Sequence, residues 1–127
     1  MLVEEVMTPK KNLVIVTPMA SIREVLMLMK KNKIKSVIVE KASISGAYGI
    51  ITLKDILEAI VAEDGDIDLL NVYDIASIPS ISISRKIDIK YASIMMTKYN
   101  IDRLLVIDNN ELYGIITLSD IMRVILN

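Results

Sequence analysis

Two Thr-x-x-Asp motifs are the residues of this chain whose types and spacing best suit ligand chemistry. Thr52-x-x-Asp55 and Thr117-x-x-Asp120 each follow a glycine and two isoleucines, and they lie 65 residues apart. A threonine hydroxyl can donate to a phosphate or sugar oxygen, and an aspartate can accept hydrogen bonds from both hydroxyls of a ribose. The same spacing forms a capping box at the start of a helix, so a purely structural role stays open for both motifs.

The rest of the composition offers little for catalysis. The chain has 127 residues with no His and no Cys, which excludes histidine bases, thiolate nucleophiles, disulfides and His- or Cys-ligated metals. The acidic stretch at 63–68 lacks the glycine and glutamate that an EF-hand loop requires at fixed positions. We interpret it as a linker and expect no enzyme, no metal and no cofactor.

Charge and hydropathy restrict the partners. Fifteen basic and sixteen acidic residues give a net charge of −1, which argues against nucleic-acid binding because phosphate backbones require an excess of cations. The N-terminus lacks a cationic start and a long apolar run, and no apolar stretch approaches the roughly 20 residues of a membrane-spanning helix. We expect a cytoplasmic protein that does not bind membranes.

An internal duplication organises the chain. Residues 48–60 recur at 113–125 with nine of thirteen positions identical and no gap. Upstream of these segments the copies stay aligned at an offset of 67, because the first copy, in its loop at 41–47, is two residues longer than the corresponding part of the second copy. We divide the chain into a first repeat at 1–62, a linker at 63–71 and a second repeat at 72–127.

Each copy is predicted to form the elements β-α-β-β-α. Ser21 and Asp88 suit the N-caps of the first helices, and Asn109-Asn110 suits a hairpin turn with positive φ. The predicted strands are 13–16, 36–39 and 48–51 in the first copy, and 81–83, 104–107 and 112–116 in the second. The closing helices are predicted to bury Leu53, Ile56, Leu57, Ile60 and Val61 in one copy, and Leu118, Ile121, Met122, Ile125 and Leu126 in the other.

A unit of about 60 residues has difficulty burying enough surface to be stable alone. We therefore expect the two copies to pack with pseudo-twofold symmetry around one shared core. The fold class predicted is α+β, in tandem β-α-β-β-α repeats.

This arrangement resembles a pair of cystathionine β-synthase (CBS) domains, also called a Bateman module. The resemblance covers nearly the whole chain, and its strongest marker is an apolar strand ending in Gly-h-h-Thr-x-x-Asp, where h is apolar, which appears in both copies. Val6-Met7-Thr8-Pro9 is similar to the start of such domains. The proline common in the family's second strand is replaced by Ile38 and Leu105, and its basic residue is kept as Arg103 but is Ser36 in the first copy.

The resemblance implies roles for particular residues. It assigns ribose to Asp55 and Asp120, with Thr52 and Thr117 near ribose and phosphate. It places adenine between the segment that begins a copy and the start of that copy's second strand, which gives Thr8 with Ile34-Lys35 and Ser77 with Ile101-Asp102. It also directs Arg103 and Lys35 towards phosphate. The two sites are not expected to be equivalent.

The function that the resemblance implies is regulatory. The module would bind AMP, ADP, ATP or a related adenosyl compound such as S-adenosylmethionine in the cleft between the repeats. The alternative is a homodimerising scaffold whose motifs serve only as helix caps. A homodimer is expected under both hypotheses, and the module either acts on a partner protein in trans or is part of a longer chain.

Overall fold

The predicted β-α-β-β-α order is confirmed in both copies, and the fold is of the α+β class. The structure is a computed structural model that describes residues 1–127. Its elements are α1 (Val3–Val6), β1 (Thr8–Pro9), β2 (Ile15–Val16), α2 (Ile22–Asn32), β3 (Ser36–Val39), β4 (Gly49–Thr52), α3 (Leu53–Leu57), α4 (Val72–Ile75), β5 (Ser82–Ile83), α5 (Ile89–Tyr99), β6 (Arg103–Asp108), β7 (Glu111–Thr117) and α6 (Leu118–Leu126). A 3₁₀ turn at Lys10–Asn12 follows β1, and α3 continues as a π-helical turn at Glu58–Ala62.

The structural units divide the chain differently from the sequence copies. One unit, here the Thr52 unit, is Val14–Ser80. The other, the Thr117 unit, combines Met1–Leu13 with Ile81–Asn127. Each unit therefore contains the β-α-β-β-α body of one copy together with the short helix that begins the other copy in sequence.

The Thr52 unit is built on a three-stranded sheet of order β2-β3-β4. The first two strands are parallel and the last two antiparallel, with Val37 opposite Ile51. α2 begins at Ser21, whose hydroxyl accepts a hydrogen bond from the Glu24 amide at 3.1 Å, as predicted. The core of this unit consists of β-branched strand residues and one face of α2: Val16, Ile22, Val25, Met29, Val37, Val39, Ile51, Ile56 and Val72.

The Thr117 unit is built on a four-stranded sheet of order β1-β7-β6-β5. Its core includes Val3 of α1, which is fully buried with Leu104, Val106 and Ile116 of the sheet. The β6–β7 hairpin turns at Asn109 and Asn110, whose φ angles of 52° and 59° confirm the predicted positive-φ turn. Asp88 caps α5 by accepting the Lys90 amide at 2.9 Å.

The prediction that the closing helices bury all their apolar residues is wrong. Ile56 and Ile121 are buried, and Leu53 and Ile60 pack partly against the core of the Thr52 unit. Six others are exposed: Leu57, Val61, Leu118, Met122, Ile125 and Leu126, with Val61 at 70% and Ile125 at 75%. The apolar stripe of each helix is wider than the surface that its own sheet can cover, so one edge of it stays in solvent.

The helices are short. The longest, α2 and α5, have 11 residues each, and none combines the length and apolar character needed to cross a lipid bilayer.

Candidate functional site

The Thr52 motif lies at the junction of β4 and α3. Thr52 is the N-cap of α3, and its hydroxyl accepts a hydrogen bond from the Asp55 amide at 3.2 Å. The capping interpretation is thus correct for the threonine. The Asp55 carboxylate is different, because no hydrogen bond or ion pair in the structure engages it. Asp55 is half-buried and its side chain is available to a ligand.

The neighbouring strand in the sheet, β3, brings a second group of predicted residues to this junction. Ser36 lies directly opposite Thr52 in the β3–β4 ladder. The carbonyl of Lys35 accepts a hydrogen bond from the Leu53 amide at 2.9 Å, which ties the start of β3 to the start of α3. Ile34 is half-buried and packs against the core, whereas the Lys35 side chain is exposed.

Ser77 joins this group from the segment after α4. Its amide and carbonyl both pair with Ile50 of β4, at 2.9 and 3.0 Å. In the Thr117 unit, Thr8 occupies the equivalent place opposite Ile115 of β7. The predicted association of Thr8 with Ile34-Lys35, and of Ser77 with Ile101-Asp102, is therefore wrong. The segment that begins each copy in sequence, here called its leading segment, pairs with the sheet formed by the other copy.

The glycine of each motif permits this close approach of the leading segment. A Cβ at Gly114 would lie 2.3 Å from the Thr8 carbonyl oxygen. A Cβ at Gly49 would lie 2.7 Å from the Ser77 carbonyl oxygen and 2.5 Å from Cγ1 of Ile78. Neither glycine has positive φ, so their backbone conformation does not require glycine. Glycine is required because the backbone of the leading segment packs directly against these positions.

A pocket of about 290 Å³ opens beside Asp55. This is close to the lower end of the range for small-molecule sites, roughly 300–1,000 Å³. Its walls come from α3, the π-helical turn and the segment around α4: Asp55, Glu58, Ala59, Glu63, Asp74, Ile75 and Ser77. Two predicted site residues, Asp55 and Ser77, thus line one cavity.

The Thr117 motif has the same backbone geometry with a different electrostatic environment. The Thr117 hydroxyl accepts the Asp120 amide at 3.2 Å, and the Asp120 carboxylate accepts the Thr117 amide at 2.9 Å, which completes a capping box. The other oxygen of that carboxylate accepts a hydrogen bond from the Arg123 guanidinium. Asp120 is only 4% exposed, so its carboxylate is already engaged.

The other predicted residues of the Thr117 unit are also brought to this junction. Arg103 lies opposite Thr117 in the β6–β7 ladder, the Asp102 carbonyl accepts the Leu118 amide at 2.9 Å, and Ile101 is half-buried. The Arg103 guanidinium donates to both oxygens of Asp102, at 2.8 and 3.3 Å. This hydrogen bonding lowers the pKa of Asp102 and holds the guanidinium on its own neighbour.

The sequence did not indicate the three acidic residues that line the pocket with Asp55, or the basic residue that binds the aspartate of the other motif. Glu58, Glu63 and Asp74 line the cavity beside Asp55, and Arg123 binds Asp120. One signal was present in the sequence. Glu58 and Arg123 are equivalent positions of the repeat, three residues after the motif aspartates, and they carry opposite charges.

A larger groove of about 500 Å³ lies on the Thr117 unit and is lined mainly by apolar residues of β5, α5 and the segment between them. It contains none of the predicted site residues, and Tyr91 and Ile94 are among its walls. Because no residue of either Thr-x-x-Asp motif lines this groove, we do not assign it to the candidate site.

Comparison with known proteins supports the fold. The family model described as CBS domain matches the chain twice, at residues 3–62 and 72–127. An uncharacterized protein of Methanopyrus kandleri is 28% identical over 116 residues, which is 91% of this chain and 59% of that protein. The chain therefore spans less than two thirds of the curated relative that it matches.

Two solved structures share the fold. A hexameric CBS-CP12 protein from bloom-forming cyanobacteria has a TM-score of 0.87 and 30% identity, covering 96% of this chain and 66% of that one. The CBS domain pair of protein MJ0100, solved in complex with 5′-methylthioadenosine and S-adenosyl-L-methionine, has a TM-score of 0.81 and 26% identity. That match covers 98% of this chain and 99% of the other.

Proposed function

This chain belongs to the CBS domain family, and from that premise we propose that it is a regulatory module that senses an adenosyl compound through the Asp55 pocket. The proposed ligand contains the adenine and ribose common to AMP, ADP, ATP and S-adenosylmethionine. The module senses this ligand without transforming it. The observation that carries the proposal is the unengaged Asp55 carboxylate, which lines a pocket together with Ser77.

The chemistry of ribose recognition suits this carboxylate. An ionised carboxylate accepts hydrogen bonds only, and a ribose presents two adjacent hydroxyl donors that fit its two oxygens. The Thr52 hydroxyl, held at 3.2 Å from the Asp55 amide, keeps its own proton for a ligand oxygen. Ile75 supplies apolar surface for a base, and the Ser77 backbone pairs with Ile50 of β4.

The Thr117 site is the weaker candidate. A ribose would have to displace Arg123 from Asp120 and compete with the Thr117 amide for the other oxygen. Removing these partners is costly, because the Asp120 carboxylate is only 4% exposed and keeps its desolvation penalty when its hydrogen bonds are lost. We propose that ligand occupies the Thr52 unit first and that Asp120 acts as a helix cap.

Regulation then follows from linkage. A ligand stabilises the conformation that binds it best, and the shift in population can be no larger than its difference in affinity between conformations. We propose that a partner protein acting in trans, or a second copy of the chain, recognises the liganded conformation.

Calorimetric titration with adenosine tests the site. We expect Asp55→Asn to weaken binding about tenfold or more, equivalent to about 1.4 kcal/mol, because the amide loses one acceptor. The matched substitution Asp120→Asn should leave adenosine affinity within about twofold of wild type. Equal affinity of wild type and Asp55→Asn would overturn the assignment.

The alternative function, a homodimerising scaffold, requires an apolar surface that a second copy can cover, and α6 has one. Leu118, Met122 and Ile125 are exposed at positions i, i+4 and i+7 and form an apolar stripe on one helix face. We propose that a second copy covers this stripe in a homodimer. The double substitution Met122→Glu and Ile125→Glu should halve the mass measured by light scattering, with Lys90→Glu as the surface control. A monomeric wild type at tens of micromolar would contradict the dimer.

A further inference from the structure

The leading segments of the two copies bind to their units through equivalent hydrogen bonds. The Glu4 amide donates to the Arg85 carbonyl at 3.0 Å, and the Tyr73 amide donates to the Pro18 carbonyl at the same distance. Arg85 and Pro18 are equivalent in the repeat, because they are related by the offset of 67 that aligns the two copies. The hydrogen bonds therefore place Glu4 and Tyr73 at equivalent positions of the two units.

The side chains at these equivalent positions differ in chemistry. In the Thr117 unit, the Glu4 carboxylate pairs with Arg85 at 3.7 Å and with Lys86 at 2.7 Å. In the Thr52 unit, Met19 stands at the position of Lys86 and is 69% exposed. Tyr73 stands at the position of Glu4 and is 52% exposed. One unit thus has a cluster of ion pairs where the other presents large apolar side chains to solvent.

Leu69 extends this apolar surface. It is 78% exposed and lies on the segment that carries Tyr73. That segment runs beside Met19, whose carbonyl accepts a hydrogen bond from the Asn71 side-chain amide at 2.7 Å. Met19, Leu69 and Tyr73 are here called the Tyr73 patch. Exposed clusters of large apolar residues mark interaction surfaces, in which methionine and tyrosine are enriched.

The size of the patch restricts what can cover it. Three side chains with these exposures offer on the order of 400 Å². A stable interface between folded proteins takes roughly 800 Å² from each partner, so a second copy would gain too little from this surface alone to form a dimer. A short segment that places one or two apolar side chains on the patch suits its size better.

The charges that border the patch are mainly negative. Asp68 directly precedes Leu69 and Asp74 directly follows Tyr73, and both carboxylates belong to exposed residues. The Arg23 guanidinium donates to both oxygens of Asp68, at 2.7 and 3.0 Å, so this cation is already neutralised. No ion pair engages Asp74, which accepts the Asn71 amide. Such a border favours a partner with Lys or Arg beside its apolar residues.

We propose that the Tyr73 patch docks a short segment of a partner protein in which one or two large apolar side chains are flanked by Lys or Arg. The inference rests on the proposed function, since it describes the partner that a regulatory module acting in trans recognises. The helix α4 connects the patch with the candidate site, because Tyr73 belongs to the patch while Asp74 and Ile75 line the pocket. Docking and ligand binding thus involve the same one-turn helix.

Selection from a phage-displayed library of random peptides, without adenosine, tests the surface. The comparison variant combines Met19→Lys with Tyr73→Glu, which copies the ion pair of the Thr117 unit and is therefore expected to fold. We expect selected peptides to combine a large apolar residue with Lys or Arg. Fluorescence anisotropy should show that they bind the double variant about tenfold more weakly than wild type.

The matched control is Met27→Lys, which changes a methionine of α2 that is 66% exposed in the same unit. It should retain wild-type affinity for the selected peptides, because Met27 is not part of the Tyr73 patch. Circular dichroism and the Tm confirm that both variants are folded. Replacing Lys and Arg of a selected peptide by Glu should weaken its binding to wild type about tenfold or more.

Several outcomes would overturn the docking surface. They are the absence of enriched peptides, equal binding of these peptides to the double variant, and enrichment of acidic sequences. A lower mass of the double variant in light scattering would show that a second copy covers the patch, and would overturn it as well. Adenosine titrations of wild type and Asp55→Asn test the proposed function separately. Peptide binding to the patch without any adenosine binding would support the docking surface and overturn the ligand site.

Discussion

Arg123 donates a hydrogen bond to the buried carboxylate of Asp120, one turn before it in α6. The equivalent pair in the first copy is Glu58 and Asp55, two like charges at the same spacing. On a helix, an opposite-charge pair at i and i+3 stabilises, and a like-charge pair destabilises by a similar small amount. The two copies therefore use one motif in opposite ways, with one aspartate closed by a cation and the other left open.

Glu58→Arg should convert the open motif into the closed one. The new guanidinium can pair with Asp55 as Arg123 pairs with Asp120. We expect adenosine affinity to fall about tenfold, while the free energy of unfolding rises by about 0.3 kcal/mol or stays unchanged. Calorimetry and urea titration measure the two quantities. Glu24→Arg, with the same charge change on α2, is the control, and undiminished adenosine binding by Glu58→Arg would contradict the prediction.

Asp120→Asn should affect stability and leave adenosine binding intact. The substitution weakens the capping box and removes the partner of Arg123 from a site that is 4% exposed. Helix caps of this kind contribute about 1 kcal/mol, and charged hydrogen bonds about as much again. We expect the free energy of unfolding to fall by about 1–2 kcal/mol in urea titrations. Asp55→Asn is the matched variant, and a fall of equal size there would show that the two carboxylates are equivalent.

Gly114→Ala and Gly49→Ala should loosen the leading segments. The added methyl groups would meet the carbonyl oxygens of Thr8 at 2.3 Å and of Ser77 at 2.7 Å, so backbone must move. Overpacking of this kind costs about 1–3 kcal/mol. The loss should appear as a lower Tm and as faster hydrogen exchange at Met7 and Ser77. Gly46→Ala is the control and should change the Tm less than either, because its new Cβ lies no closer than 3.2 Å to any atom outside its two chain neighbours.

The β6–β7 turn should tolerate glycine and reject branched residues. Asn109 and Asn110 both have φ near 55°, a conformation that costs other L-residues about 1–2 kcal/mol. We expect Asn109→Gly to leave the Tm unchanged or raise it, and Asn109→Val to lower the free energy of unfolding by about 1–2 kcal/mol. A stable Asn109→Val variant would mean that the hairpin adopts another turn in solution.

Acid should weaken the Asp102–Arg103 pair. The hydrogen bond from Arg103 lowers the pKa of Asp102 in the folded state, whereas the unfolded value is about 3.9. The pair therefore adds stability above about pH 4 and loses it as the pH falls through the folded pKa. For a partly exposed pair this is about 0.5 kcal/mol. The difference in Tm between wild type and Asp102→Asn should shrink below pH 4, and a difference independent of pH would contradict the assignment.

Local chemistry explains where the sequence predictions succeeded. The N-caps at Ser21 and Asp88 and the turn at Asn109-Asn110 depend on hydrogen bonds and φ angles within a few residues. The strands were predicted to within one or two residues, because β-branched runs flanked by polar residues mark them. The motif threonines also behave as the capping pattern requires.

Long-range contacts explain the rest. The exposure of Met122 and Ile125 could not be inferred from periodicity. Periodicity shows which residues form the apolar face of a helix, but it does not show how much of that face a neighbouring element covers. The exchange of the leading segments could not be predicted either, because the residues around Thr8 and Ser77 do not indicate which copy's sheet they pair with. Only the strand pairings to Ile115 and Ile50 distinguish them.

The sequence by itself determined the duplication, the order of elements and the positions of two Thr-x-x-Asp motifs, because these follow from short-range periodicity and hydrogen bonding. The tertiary structure alone decided that the Asp55 carboxylate is unengaged and that of Asp120 engaged, and that Glu58, Glu63 and Asp74 line the pocket beside Asp55. Charge in a pocket depends on which distant side chains share it, and that proximity exists only once the chain has folded.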